Sequence, residues 1–188
     1  MSDTETITRD FDALHDKYLA ERDKRLRSDG VDQYVSMDNP FIGDVVDPYA
    51  GAPIERTAIS EDVDVVNVGG GFSGLLAAAS LLKEGVSDIR VIEKGSDIGG
   101  TWYWNRYPGC RCDVDAYTYL PLLEDHGAMP TERYARAPEI LGHAKRLSER
   151  TGIYDRTLLQ TGVSGADWDS ASGRWIVTSD RGDTIRIR

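Results

Sequence analysis

The chain has 188 residues, with 22 Lys and Arg against 32 Asp and Glu, a formal charge of −10. That length suits one sizeable domain with its own core and leaves little room for a second. The acidic surplus repels a phosphate backbone and an anionic lipid surface, so nucleic acid and membranes are excluded as expected partners.

The first ten residues lack the basic start, apolar middle and small-residue cleavage site of a secretory signal, and a cytoplasmic protein is expected. Residues 8–28 read as an amphipathic helix with Phe11, Leu14, Tyr18 and Leu19 on one stripe, facing a larger body. Its charge run reads as a solvated face, with opposite charges four apart at Glu21 and Arg25 and at Asp23 and Arg27. From Ser28 to Ser60 turn pairs dominate, Asp29-Gly30, Asn39-Pro40 and Asp47-Pro48 among them, and an extended arm is expected. The expected division is therefore a helix and arm over 1–60 and a binding domain over 61–188.

The pattern changes at Val63–Val68, a β-branched run ending in glycines, which predicts a strand buried in a parallel sheet. Asn67 interrupts this run, and a buried amide there must find partners. A helix follows, with Leu75, Leu76, Ala77, Ala78, Ala79, Leu81 and Leu82 apolar almost all round and Gly85 placed as a cap. This stretch is far too short to cross a bilayer. Ile89–Ile92 is a second strand. Farther on, Pro138 and Gly152 bracket a helix whose Ile140, Leu141, Ala144 and Leu147 share a face. Runs around Leu158–Trp168, Arg174–Ser179 and Thr184–Arg188, separated by turn residues, predict an antiparallel meander. The fold class is α/β: a Rossmann-like domain with a parallel sheet plus an antiparallel β-meander, incomplete at its C-terminus.

Gly69-Gly70-Gly71-Phe72-Ser73-Gly74 fits G-x-G-x-x-G between a predicted strand and a predicted helix, the setting in which the pattern is informative. Gly69 permits the tight turn, Gly71 lets backbone N–H groups approach a pyrophosphate, and Gly74 allows close helix-to-strand contact. The helix start adds its unpaired N–H groups and partial positive charge. Glu93 follows 19 positions after Gly74, at the end of the second strand, where a carboxylate accepts from ribose hydroxyls and disfavours a 2′-phosphate. FAD or NAD is expected there. Cys110 and Cys112 are the only cysteines, and with His15, His126 and His143 they supply no zinc spacing. No metal is expected, and the thiols read as reduced and structural.

Gly99-Gly100-Thr101-Trp102-Tyr103-Trp104-Asn105-Arg106-Tyr107-Pro108-Gly109 is an aromatic cluster too irregular for a simple helix or strand. Such rings fill a core or wall a flat cofactor. Together with Gly69–Gly74, Glu93 and Arg111-Cys112-Asp113-Val114, this segment resembles the Baeyer–Villiger monooxygenases, FAD enzymes that use NADPH and O2 to insert oxygen beside a ketone carbonyl. The arm before residue 60 resembles the extensions of members acting on bulky cyclic ketones.

The resemblance implies that Gly69, Gly71, Phe72, Ser73 and Gly74 meet the FAD pyrophosphate and Glu93 the adenosine ribose. It implies that Thr101, Trp102, Tyr103 and Trp104 line the flavin, that Asp113 and Tyr119 touch it, and that the Val163 backbone meets the adenine. Arg111, Cys112 and Asp113 would also touch NADP. An isolated Asp reads as a turn cap, but the motif gives Asp113 the role of orienting an arginine over the flavin. That arginine, a second glycine motif and the family's F-x-G-x-x-x-H-x-x-x-W/D fingerprint do not occur in these residues. The chain is expected to work with a missing C-terminal portion and to be inactive alone. A non-catalytic FAD or nucleotide module, and an N- or S-oxygenating flavin monooxygenase relative, are the alternatives. An NAD-dependent dehydrogenase leaves the aromatic segment without a purpose.

Overall fold

The computed structural model describes residues 10–33, 47–126 and 129–188, so the Asn39-Pro40 turn lies outside the described residues. The chain divides into two compact units, Met1–Val46 and Asp47–Arg188. In the first, α1 spans Phe11–Asp23, capped by the Asp10 carboxylate, which accepts from the Ala13 N–H. The helix stops short of the predicted residue 28, and none of its residues is buried. Phe11, Leu14 and Tyr18 are exposed. Because the helix ends at Asp23, the i,i+4 row cannot continue to Arg25 and Arg27. Glu21 instead pairs with Lys24, Asp23 with Arg22, and Arg27 with Asp29.

The second unit holds the Rossmann-like body. Its elements run β1 (Ser60–Val63), β2 (Val65–Val68), α2 (Phe72–Lys83), β3 (Ile89–Ile92), α3 (Thr101–Trp104), α4 (Ala116–Tyr119), α5 (Leu123–His126) and α6 (Ala137–Arg150). There follow β4 (Thr157–Leu158), β5 (Val163–Asp169), β6 (Arg174–Ser179) and β7 (Thr184–Ile187). The strands form a parallel sheet of order β2-β3-β4 and a four-stranded sheet of order β1-β7-β6-β5.

The run Val63–Val68 is thus two strands rather than one. Val63 ends β1, which joins β7 of the meander, Val65–Val68 form β2, which joins β3, and the chain changes sheets at Asp64, whose N–H donates to the Asp88 carbonyl. The run from Leu158 is divided in the same way, Leu158 closing β4 and Val163 opening β5. The rest of the meander, β5-β6-β7, is antiparallel as expected.

Burial separates three layers. Ile89 and Val91 of β3 face α2 and α6, packing with Leu75, Ala78, Ala144 and Leu147. Ile92 faces the other way, against Val63, Val177 and Ile185 of the meander sheet. In α2 only Leu75 and Ala78 are buried, so it is less enclosed than its composition suggests. Gly85 follows it with φ +88, and Gly152 follows α6 with φ +70, the left-handed turns that glycine accepts after a helix. Asn67 is half-buried and donates to the Gly74 carbonyl at 3.5 Å, a weak bond from β2 to the first turn of α2.

Residues 47–60, grouped by composition with the arm, are bonded to this body. Arg56 makes two hydrogen bonds of 2.6 Å to the Asp183 carboxylate, Gln160 accepts from the Ile54 N–H at 2.8 Å, and Asp47 meets Tyr103.

Candidate functional site

Two glycine turns meet backbone to backbone at the end of the parallel sheet. The Gly69 N–H donates to the Ile92 carbonyl at 2.7 Å, and the Gly99 N–H donates to the Gly70 carbonyl at 2.9 Å. A methyl on Gly100 would stand 2.8 Å from the Gly71 Cα, and one on Gly74 would stand 2.1 Å from the Gly69 carbonyl oxygen. Only bare backbone fits. Gly71 starts α2 without a side-chain cap, so the first-turn N–H groups of α2 keep their donors for whatever lies in front of them.

The groove in front of α2 has a volume of about 330 Å³ and is lined by Gly69, Gly71, Phe72, Ser73 and Gly74 on one side. Gly99, Gly100, Thr101, Trp102 and Tyr119 line the other. The Trp102 indole N–H donates to the Tyr119 hydroxyl at 2.9 Å, and Tyr119 meets Phe72 edge-on. Those rings therefore form one fixed wall. Thr101, Trp102 and Tyr119 also border an adjoining recess of about 340 Å³ that takes in Arg111, Cys112 and Asp113.

Glu93 is 6% exposed and lies just past β3. Its carboxylate accepts from the Gly70 N–H at 2.5 Å and from the Gly95 N–H at 2.6 Å. One oxygen therefore holds the first glycine turn and the other holds the turn after β3, with further lone pairs free for a ligand. The chain after β4 runs beside it, since the Thr161 N–H donates to the Glu93 carbonyl. Val163, two residues later, packs into the meander core with Val63 and Ile92.

The four residues of the aromatic turn divide. Thr101 and Trp102 line the groove, whereas Tyr103 is 1% exposed and turns away, its ring against Gly95 and its hydroxyl donating to Asp47 at 2.6 Å. Trp104 meets the Tyr103 ring edge-on and lines neither the groove nor the recess. Asp113 and Arg111 are exposed at the rim, and Arg111 pairs with Glu132 at 3.6 Å. Cys110 and Cys112 are buried and free, the Cys112 thiol donating to the Val114 carbonyl. No cluster suited to a metal ion occurs among the described residues.

Two contributions were not anticipated from the residues. Gly99 and Gly100 belong to the groove floor through φ values of +126 and +53, and the signal for them was the double glycine itself. Asp47, 56 positions before Tyr103, had no signal beyond an Asp-Pro turn.

The NAD(P)-binding Rossmann-like domain family matches residues 68–130. A Baeyer–Villiger monooxygenase of Streptomyces coelicolor is 46% identical over 173 residues, which is 92% of this chain and 29% of that protein. The polycyclic ketone monooxygenase of the fungus Thermothelomyces thermophila superposes with a TM-score of 0.75 at 32% identity, over 95% of this chain and 31% of that one. OTEMO in complex with FAD and NADP superposes with a TM-score of 0.62 at 31% identity, over 66% of this chain and 24% of that one. Along nearly its whole length, the chain corresponds to the amino-terminal three-tenths of Baeyer–Villiger monooxygenases.

Proposed function

We propose that this chain is the FAD-holding portion of an NADPH- and O2-dependent Baeyer–Villiger monooxygenase that converts small ketones to esters or lactones. The observation that carries this reading is the groove in which two glycine turns, the open start of α2 and the Trp102–Tyr119 pair converge. Its residues fit a dinucleotide: a pyrophosphate needs close backbone N–H donors, and every side chain that would obstruct them is absent.

In this reading the N–H groups of Phe72, Ser73 and Gly74 receive the pyrophosphate, and Glu93 accepts from the ribose while bracing Gly70. The Val163 backbone meets the adenine. Bound FAD supplies the redox and oxygen-transfer chemistry. Thr101, Trp102 and Tyr119 would line the flavin and help to keep water from it. Asp113, at the rim of the adjoining recess with Arg111 and Cys112, orients an arginine contributed by further sequence and borders the NADPH site. The remaining seven-tenths of the enzyme, the ketone and O2 are the partners. No helix among the described residues is long and apolar enough to cross a membrane. We assign the protein to the cytoplasm, with no nucleic-acid partner given its charge of −10.

Titrating the chain with FAD while following quenching of flavin fluorescence tests the core of this reading, with saturable one-to-one binding expected. A chain that leaves the flavin signal unchanged overturns it. Ketone-dependent NADPH oxidation by the polypeptide that carries this chain then separates a monooxygenase from a binding module.

A further inference from the structure

Tyr103 is the most enclosed large side chain of the aromatic turn, yet its polar end is not spent on the groove. Its hydroxyl donates to Asp47 Oδ2 at 2.6 Å and accepts from the Ser96 N–H at 3.2 Å. The same Asp47 oxygen accepts from the Ser96 N–H at 2.9 Å, and its other oxygen accepts from the Tyr49 N–H at 2.9 Å. Tyr49 meets the Tyr103 ring edge-on at 5.9 Å. The Arg106 guanidinium lies 4.1 Å from the Tyr49 ring centre and 4.6 Å from that of Tyr103, while its Nε donates to the Tyr103 carbonyl. Burial alone works to raise the Asp47 carboxyl, but the Tyr103 hydroxyl and the two N–H groups hold it below its ordinary value. Asp47 thus accepts three hydrogen bonds, two on Oδ2 and one on Oδ1.

These contacts grip α3 from behind. A four-residue helical turn has too few backbone bonds to hold itself, so its outward face, Thr101 and Trp102, needs support from the opposite side. We propose that Asp47 is a positioning residue for the flavin groove, acting through the Tyr103 hydroxyl to fix the turn that presents Thr101 and Trp102 to the glycine loop. The inference rests on the FAD reading above. It adds that residues 47–49, outside the dinucleotide motif, set the geometry of the site.

The test is FAD affinity of the full chain, measured well below its unfolding temperature. Asp47→Ala is expected to weaken FAD binding about tenfold, the size of one lost charge-assisted hydrogen bond. Asp47→Asn, whose amide oxygen can still accept from Tyr103, restores most of the affinity. Tyr103→Phe weakens binding similarly, and adding Asp47→Ala to it changes little further, because both act through one bond. Additive losses, or Asp47→Ala lowering the melting temperature with unchanged affinity, overturn the proposal and leave Asp47 a purely structural residue. If Asp47→Ala does not fold, Tyr103→Phe decides alone, and wild-type affinity in that variant overturns it. Failure of the wild-type chain to bind FAD instead overturns the parent reading.

Discussion

Gly74 illustrates how tightly single residues control the groove. A methyl there would lie 2.1 Å from a backbone oxygen of the loop that the helix must face, and backbone cannot step aside as a flexible side chain can. Gly74→Ala should therefore push α2 away from Gly69, destabilise the chain by at least about 1–3 kcal/mol, and abolish FAD binding. Gly85→Ala is the matched comparison: φ is +88 there, but no atom lies within 4 Å of the added methyl. Its cost is about 1–2 kcal/mol of left-handed backbone strain, with FAD affinity unchanged. Urea unfolding and flavin titration on both variants check the pair. Equal loss of FAD affinity in the two would show that the groove does not depend on the close approach at Gly74. Glu93 adds a second lesson at this scale. Its position just past a strand was legible, but its bonds to Gly70 and Gly95 depend on how two turns fold toward each other, which spacing alone does not encode.

Elements were legible where a local pattern matched a local cause. The helix from Ala137 to Arg150 carries its own proline start, glycine stop and apolar face, and it forms as read. The strands were harder, because a continuous β-branched run says nothing about where the chain passes from one sheet to the other. Asp64 and the residues after Leu158 mark sheet changes fixed only by the packing of Val63 and Ile92 against the meander. The segment 52–59 was unreadable for the same reason: its anchors, Gln160, Arg181 and Asp183, lie more than 100 positions away. The Asp183 anchor makes this element pH-sensitive. The Arg56 hydrogen bonds, with help from the Ser179 hydroxyl and against the effect of burial, hold the Asp183 carboxyl well below the usual carboxylate range. In the unfolded chain that group titrates near about 3.9. The pair's contribution is thus complete above about pH 4 and is lost as pH falls from there toward the depressed folded value. Urea midpoints should drop between pH 5 and 3, and Asp183→Asn, although less stable at pH 7, should show a shallower drop. An identical slope in that variant would assign the acid sensitivity to other carboxylates.

On the scale of the whole molecule, the two compact units and the way 47–60 is held predict where the chain can be shortened. The second unit begins at Asp47 and is compact by itself. A chain of residues 47–188 should therefore fold and bind FAD. Starting instead at residue 61 keeps the glycine motif and nearly all of β1 but removes Arg56, the Ile59 N–H and Asp47. Asp183, 1% exposed, then loses its only ion-pair partner among the described residues and one of its backbone donors, retaining the Ser179 hydroxyl. Removing one member of a buried pair costs about 3–5 kcal/mol, and water admitted by the missing segment brings the expected loss toward the lower figure. Against a total domain stability of about 5–15 kcal/mol, the shorter chain should be marginal. It should also bind FAD weakly even where it stays folded, because Tyr103 has lost Asp47. Equal midpoints for the chains starting at 47 and at 61 would mean that residues 47–60 are appended to the body and do not hold it together. A lower midpoint with unchanged FAD affinity would separate the Asp183 anchor, which stabilises, from the Asp47 contact, which positions.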